Sequence, residues 1–154
     1  MISKKKFSVF FYLLPLLSVF LISPQAAAVD PIYTPLLSNL AIKGYDTVAY
    51  FTENKAVKGD KKIHYEWQGA TWLFSSEENR QKFVDAPANF APQYGGYCAF
   101  AVAQNKTASI DPKLFTIVEG KLYLNYSTGV NKKWLANKEG FIVDADKHWP
   151  NLVD

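Results

Sequence analysis

The clearest pattern in the chain has a period of two. Ile63, Tyr65 and Trp67 alternate with His64, Glu66 and Gln68, after which Gly69 turns the chain into Ala70-Thr71-Trp72-Leu73-Phe74. Aromatic and β-branched residues alternating with polar ones predict strands, and the glycine between them predicts a hairpin. Ser75 stands three residues before Glu78, a capping-box spacing that opens a helix running to about Asp85, with Pro87 ending it. Upstream, residues 29–42, with Pro31 and Pro35, read as an extended lead-in. A turn at Lys43-Gly44 follows, and Asp46 is placed to cap a short helical turn within Tyr45-Asp46-Thr47-Val48-Ala49-Tyr50-Phe51. Residues 52–62, polar and rich in lysine, read as a surface loop. Beyond Gly95-Gly96, the apolar run Ala99-Phe100-Ala101-Val102 fits a buried helix and a buried strand equally. A last helix is predicted around residues 140–147, ahead of His148-Trp149-Pro150.

The hairpin–helix pattern returns 51 residues later. Gly69, Ser76, Lys82 and Phe83 correspond to Gly120, Ser127, Lys133 and Trp134, and Trp72-Leu73 corresponds to Tyr123-Leu124. Duplication of one unit produces such matches. So does independent use of the same turn and cap chemistry in two hairpin–helix units. Under either origin, the expected fold class is α+β: a mostly antiparallel sheet built from two β-hairpin–helix units, with helices packed on one face.

The N-terminus changes the reading of the charge. Lys4, Lys5 and Lys6 precede an uncharged, mostly apolar run from Phe7 to Ile22, and Ala26-Ala27-Ala28 follows. This order is that of a cleavable signal peptide over residues 1–28, with Ala26 and Ala28 in the small-residue positions of the cleavage site. The apolar run is shorter than the roughly 20 residues a spanning helix needs. The expectation is therefore a periplasmic or secreted protein with no stable membrane anchor after cleavage. The whole chain has 17 basic and 14 acidic residues. The three signal lysines account for the net +3, and a neutral remainder with Arg80 as its only arginine gives no electrostatic case for nucleic acid. A single cysteine, Cys98, rules out a disulfide within the chain.

Three stretches carry a resemblance. They are Gly44-Tyr45-Asp46-Thr47-Val48-Ala49-Tyr50-Phe51, then the segment from His64 to Ser76, then Asn89-Phe90-Ala91-Pro92-Gln93-Tyr94-Gly95-Gly96-Tyr97-Cys98. Together they resemble the YHS domain family, small α+β modules found alone and attached to metal transporters and oxygenases. The likeness implies a single domain over residues 43–154, with a YHS core at about 43–102 and a C-terminal hairpin–helix extension over 103–154. Metal-binding members carry thiols after the first strand and around the Phe-x-Ser turn. Here Val48, Ala49, Ser75, Ser76 and Asn79 stand in those places.

The soft and imidazole donors are Cys98, His64 and His148. Thiolate and imidazole together suit Cu(I), so Cys98 with His64 is the candidate metal pair and copper the candidate cofactor. Against this, a lone Cys in an Ala/Phe-rich run commonly serves as a small buried hydrophobe. Tyr45, Asp46, Tyr50, Tyr94 and Tyr97 form a candidate ligand-binding set, an aromatic wall with a few polar groups; the same residues suit an ordinary core. Cys98, His64 and Asp46 contain the elements of a thiol nucleophile with a base, although no local signature joins them. No C-x-x-C, G-x-S-x-G, H-E-x-x-H or P-loop occurs. The sequence thus favours an exported YHS-like domain that binds a small ligand or metal ion without catalysis. A thiol-dependent enzyme using Cys98 and a protein-interaction module of the cell envelope stand as alternatives.

Overall fold

A computed structural model describes residues 28–153. The predicted signal segment, apart from Ala28, lies outside them. Two antiparallel hairpins organise the chain. Strand β1 (Asp60–Trp67) pairs with β2 (Ala70–Phe74), and β3 (Asp111–Val118) pairs with β4 (Lys121–Asn125). Each hairpin turns through two residues with positive φ, Gln68-Gly69 and Glu119-Gly120. That geometry matches the right-handed twist of the flanking strands and explains a glycine at the second position of each turn.

The α+β class holds, with one refinement. The hairpins form two separate two-stranded sheets, where the pattern suggested a single sheet. Alternation specifies which residues of a strand share a face, but not whether two hairpins meet edge to edge.

Among the described residues six α-helices surround them: α1 (Ala49–Thr52), α2 (Glu77–Asp85), α3 (Pro87–Phe90), α4 (Ala99–Ala103), α5 (Thr128–Leu135) and α6 (Lys138–Val153). The apolar run after the glycine pair is thus helical. The helix predicted after Phe74 caps one residue later than expected. Ser76 accepts from Asn79 N at 3.1 Å, because the Ser75 hydroxyl is engaged elsewhere, by Asp46. The last helix runs past residue 147, through Trp149 and Pro150, to Val153. Pro150 removes one ladder hydrogen bond close to the helix end, where few remain to be lost.

The two halves match in more than their hairpins. β1 pairs Asp60 with Phe74 and His64 with Leu73, with a register shift between; β3 pairs Asp111 with Asn125 and Phe115 with Leu124, with the same shift, all 51 residues on. Ser127 caps α5 as Ser76 caps α2. Ahead of each hairpin the chain makes the same tight turn. Ile42, Lys43 and Gly44 have φ of 49°, 54° and 80°; Tyr94, Gly95 and Gly96 have 55°, 58° and 84°. Both turns close with one hydrogen bond, Tyr45 N to Ile42 O at 3.1 Å and Tyr97 N to Tyr94 O at 3.0 Å. One backbone plan is used twice.

Aromatic side chains fill the core. Phe83 packs against Trp67, Trp72 and Phe74, and Trp134, at the matching place in the second half, packs against Tyr123. The lead-in, expected to be extended, bends at Pro31-Ile32 and makes a turn at Leu36-Leu37 closed by Ser38 N to Pro35 O at 2.9 Å, and its first residues are tied down. Val29 N donates to Leu152 O, Tyr33 N to Gly95 O, and the Tyr97 hydroxyl to Asp30 O. These bonds hold residues 29–33 between the second tight turn and the C-terminal helix, where they become one wall of a groove.

Candidate functional site

The structure divides the candidate ligand set between the two halves. Asp46 is fully buried and accepts five hydrogen bonds. Its Oδ1 takes Val48 N at 2.9 Å and Ala49 N at 3.3 Å, so the side chain expected to cap a short helical turn satisfies the N–H groups leading into α1, two residues ahead of the helix's own cap position at Val48. Its Oδ2 takes Ser75 N at 2.8 Å, Ser75 Oγ at 2.7 Å and Asn79 Nδ2 at 2.8 Å. With both oxygens occupied, the carboxylate joins α1 to the start of α2. Tyr50 is also fully buried, and its hydroxyl donates to Pro112 O at 2.8 Å. Burial pushes that hydroxyl's pKa far above the ordinary tyrosine value, with the nearby Tyr45, Asp111 and Asp46 adding to the effect. Tyr45 is partly buried against the same core. Tyr45, Asp46 and Tyr50 thus lie in or against the core of the first half, with the Asp46 oxygens and the Tyr50 hydroxyl engaged within the protein. Tyr94 and Tyr97 belong to a second cluster, with Tyr123, Trp134 and Trp149 around them.

The candidate metal pair is not brought together. His64 is exposed on one face of β1, while Ile63, Tyr65 and Trp67 on the other face pack toward the core cluster that contains Cys98. The thiol is 1% exposed and donates to Asn125 Oδ1 at 3.5 Å. His148, the other imidazole, is on α6. Among the described residues, no group of three or more His, Cys, Asp and Glu side chains could hold a metal ion. The donors present do not fit the copper site that the residue types suggested, because one is inside the core and the other faces solvent.

Nor does the thiol have the surroundings of a nucleophile. Burial raises the Cys98 pKa, and the backbone N–H groups of Ala101, Tyr126 and Phe100 offset this only in part. A reactive cysteine needs thiolate character and access. Asn125 also matches the glycosylation pattern with Tyr126-Ser127, yet it is 1% exposed and its amide is committed inward, to Cys98, Phe100 and Asn131.

A groove of about 520 Å³ opens elsewhere. The first hairpin's turn supplies Trp67 and Gln68; the stretch around α3 supplies Ala88, Ala91 and Pro92; the second tight turn supplies Gln93, Tyr94 and Gly95. The opposite wall is the C-terminal helix, with Asp146, Trp149, Pro150 and Val153, and the lead-in closes one side with Pro31 and Ile32. Tyr94 and Asp146 connect the walls: the tyrosine hydroxyl donates to Asp146 Oδ1 at 2.9 Å. Burial first, and that hydrogen bond second, push the Tyr94 hydroxyl's pKa far above its ordinary value, so it remains a donor. Trp149 lies edge-on to Tyr94 at 6.0 Å and tilted against Tyr97 at 5.8 Å, which fixes its ring at the groove margin. Of the candidate ligand residues, Tyr94 alone lines this groove, with Tyr97 behind it.

Sequence reasoning missed Trp67, Asp146 and Trp149 as groove residues. Trp67 was legible as a strand residue, and the other two fell at and beyond the predicted end of the last helix. What brings them together is the docking of α6 some 80 residues further along the chain, which no local pattern encodes.

The hairpin with its following helices and strained turn defines the class of the protein, a small α+β module with an aromatic wall on its first hairpin. The family model described as YHS domain matches residues 48–94, so a YHS domain is present there. No curated protein and no solved structure matches the chain. The matched segment contains the Trp67–Tyr94 side of the groove; Asp146 and Trp149 come from the part that follows it.

Proposed function

We propose that this protein is an exported, non-catalytic binding module that takes a small organic ligand in the groove between its YHS domain and the C-terminal helix. One observation carries the reading: the 520 Å³ groove joins an aromatic lining to a single carboxylate that the Tyr94 hydroxyl holds in place. Concave sites of this volume, mostly apolar with a few placed polar groups, are the usual form of small-molecule sites. Export rests on the segment 1–28 and is read from sequence patterning. The thiol, buried and with its pKa raised by that burial, favours binding over catalysis by Cys98.

The test is NMR detection of ligand binding with ¹⁵N-labelled protein recovered after expression of the full chain. Small aromatic and aliphatic compounds are expected to shift the indole N–H signals of Trp67 and Trp149 together. Trp149→Ala is expected to abolish those shifts while leaving the rest of the spectrum in place. Shifts confined to other regions, or binding that survives Trp149→Ala, would remove the groove from the function. The mass of the recovered protein checks export, with processing after Ala28 as the expected result.

A further inference from the structure

The charge around the groove selects among ligands. Asp146 is the one charged side chain in the described lining, and no Lys, Arg or His joins it there. Its Oδ1 accepts from Tyr94; among the described residues the carboxylate has no ion-pair partner. The rest of the lining offers the aromatic surfaces of Trp67, Tyr94 and Trp149 and the amides of Gln68 and Gln93. An anion placed here would meet a carboxylate with no compensating cation. A cation would meet that carboxylate, which is exposed at the groove, and the aromatic side chains of Trp67, Tyr94 and Trp149. Ring contact with an ammonium group at such a site is worth about two- to fivefold in affinity, or about 0.5–1 kcal/mol. The Tyr94 hydroxyl, buried and held as a donor, keeps the carboxylate oriented.

We propose that the ligand of this groove is an organic cation: an apolar body lying against Trp67 and Trp149, with an ammonium group directed to Asp146. This rests on the reading of the groove as the binding site and adds the ligand's chemical class. The recognition is a charge-assisted hydrogen bond or ion pair at one end and ring contact along the rest.

Three probes share one body and differ in charge: 2-phenylethylammonium, 2-phenylethanol and phenylacetate. They are titrated into the wild-type protein and into Asp146→Asn, following tryptophan fluorescence and calorimetry. For the wild type, the ammonium is expected to bind about tenfold or more tighter than the alcohol, and phenylacetate weakest; tenfold corresponds to about 1.4 kcal/mol. Asp146→Asn keeps an oxygen that can accept from Tyr94 while removing the charge. It should bring the ammonium and alcohol to within about threefold of each other and leave alcohol binding unchanged, a loss of preference consistent with the usual size of such contacts. Trp149→Ala should weaken all three. Equal binding of the three probes, a preference for phenylacetate, or a preference for the ammonium that persists in Asp146→Asn would overturn the cation inference while leaving the groove a binding site. Absence of binding by every probe, with the variants folded and their spectra unchanged, would remove both readings.

Discussion

Asp46 and Cys98 occupy the same position in the two halves of the fold, 52 residues apart. Each follows a tight left-handed turn and a tyrosine, and each sits at the start of a short helix. The Asp46 carboxylate accepts from the N–H groups of residues 48, 49 and 75; the Cys98 sulfur faces those of residues 100, 101 and 126. Around this shared frame the side chains differ in a chemically consistent way. Beside the carboxylate stand two further donors, Ser75 and Asn79, whose counterparts in the second half are Tyr126 and Val130. Beside the thiol stands an acceptor, Asn125, where the first half has Phe74. Asn125 is aligned for this role by its own donation to Asn131 Oδ1 at 3.1 Å. A carboxylate needs donors, a thiol offers a weak proton, and each half supplies what its residue requires.

This pairing sets the expected cost of losing Asp46. Asp46→Ala would leave three backbone N–H groups, the Ser75 hydroxyl and the Asn79 amide without their acceptor in a buried site. An unsatisfied buried donor costs about 1–3 kcal/mol, and water entering the enlarged space recovers part of the sum. A loss of about 3–5 kcal/mol in urea unfolding is expected, enough to unfold a marginal domain. A loss below about 1 kcal/mol would show that the carboxylate does not hold α1 to α2.

Cys98 should behave as an inert core residue. With the thiol buried and its pKa raised by that burial, modification by a thiol reagent at neutral pH is expected to be slow and to follow the rate of unfolding. Rapid labelling of the native protein, at a rate independent of denaturant, would instead show an accessible thiolate and revive the enzymatic alternative.

The repeat also predicts which aromatic substitution is tolerated. Trp134 is fully buried at the place that Phe83 fills in the first half, and its Nε1 has no hydrogen-bond partner among the described residues. Trp134→Phe removes the unpartnered donor and leaves a ring of the kind the matching site accepts. Its stability should stay within about 1 kcal/mol of the parent, the lost volume and the relieved N–H acting in opposite directions. Trp134→Ala should cost about 3–5 kcal/mol. Equal losses in the two variants would mean that the indole makes a contact with no counterpart in the first half.

Stability should decline at alkaline pH. Burial raises the hydroxyl pKa values of Tyr50, Tyr94, Tyr97 and Tyr123 and the thiol pKa of Cys98. In the unfolded chain these groups ionise near their ordinary values, about 8.5 for cysteine and about 10 for tyrosine. Above those values the unfolded state binds fewer protons than the native state, so stability falls as pH rises. Below about pH 8 the contribution is complete and this set imposes no slope. Urea midpoints from pH 7 to 11 measure it, and a midpoint constant up to pH 11 would show that the hydroxyls are solvated in the native state.

Local rules made the hairpins, the Asp46 cap and the helices after each hairpin legible, because alternation, x-Gly turns and cap residues act within a few positions; α3, which starts at the proline expected to end a helix, and α4, open to helix or strand, were not. The equivalence of Asp46 and Cys98 was not. A carboxylate and a thiol share no sequence signature, and Ile42 and Tyr94 are not residue types that announce a left-handed turn. The spacing to Glu78 points to Ser75 as the cap of α2, yet Ser76 takes that role because Asp46, 29 residues upstream, engages the nearer hydroxyl. The groove depends on contacts that form only when α6 and the lead-in dock. Residues such as Trp149 gain their role from that tertiary arrangement.

The lead-in's part in the groove can be tested at one glycine. Gly95 has φ of +58°, and a Cβ built on it would meet Pro31 O at 1.8 Å. The matching residue in the first half, Lys43, has φ of 54° and carries a full side chain, exposed to solvent. The backbone conformation is therefore open to a side chain; what excludes one at residue 95 is the lead-in lying across it. Gly95→Ala should displace residues 29–33, break the Tyr33 N to Gly95 O bond, and remove the Pro31–Ile32 wall. The expected cost is about 1–3 kcal/mol, the range for strained backbone sites and lost packing. Limited proteolysis should then cut near residues 29–35 faster than in the parent, while Lys43→Ala leaves the cleavage rate unchanged. Equal protection in Gly95→Ala would show that the lead-in is anchored by Val29 and Tyr97 alone, and that the groove keeps its third wall without the close approach at Gly95.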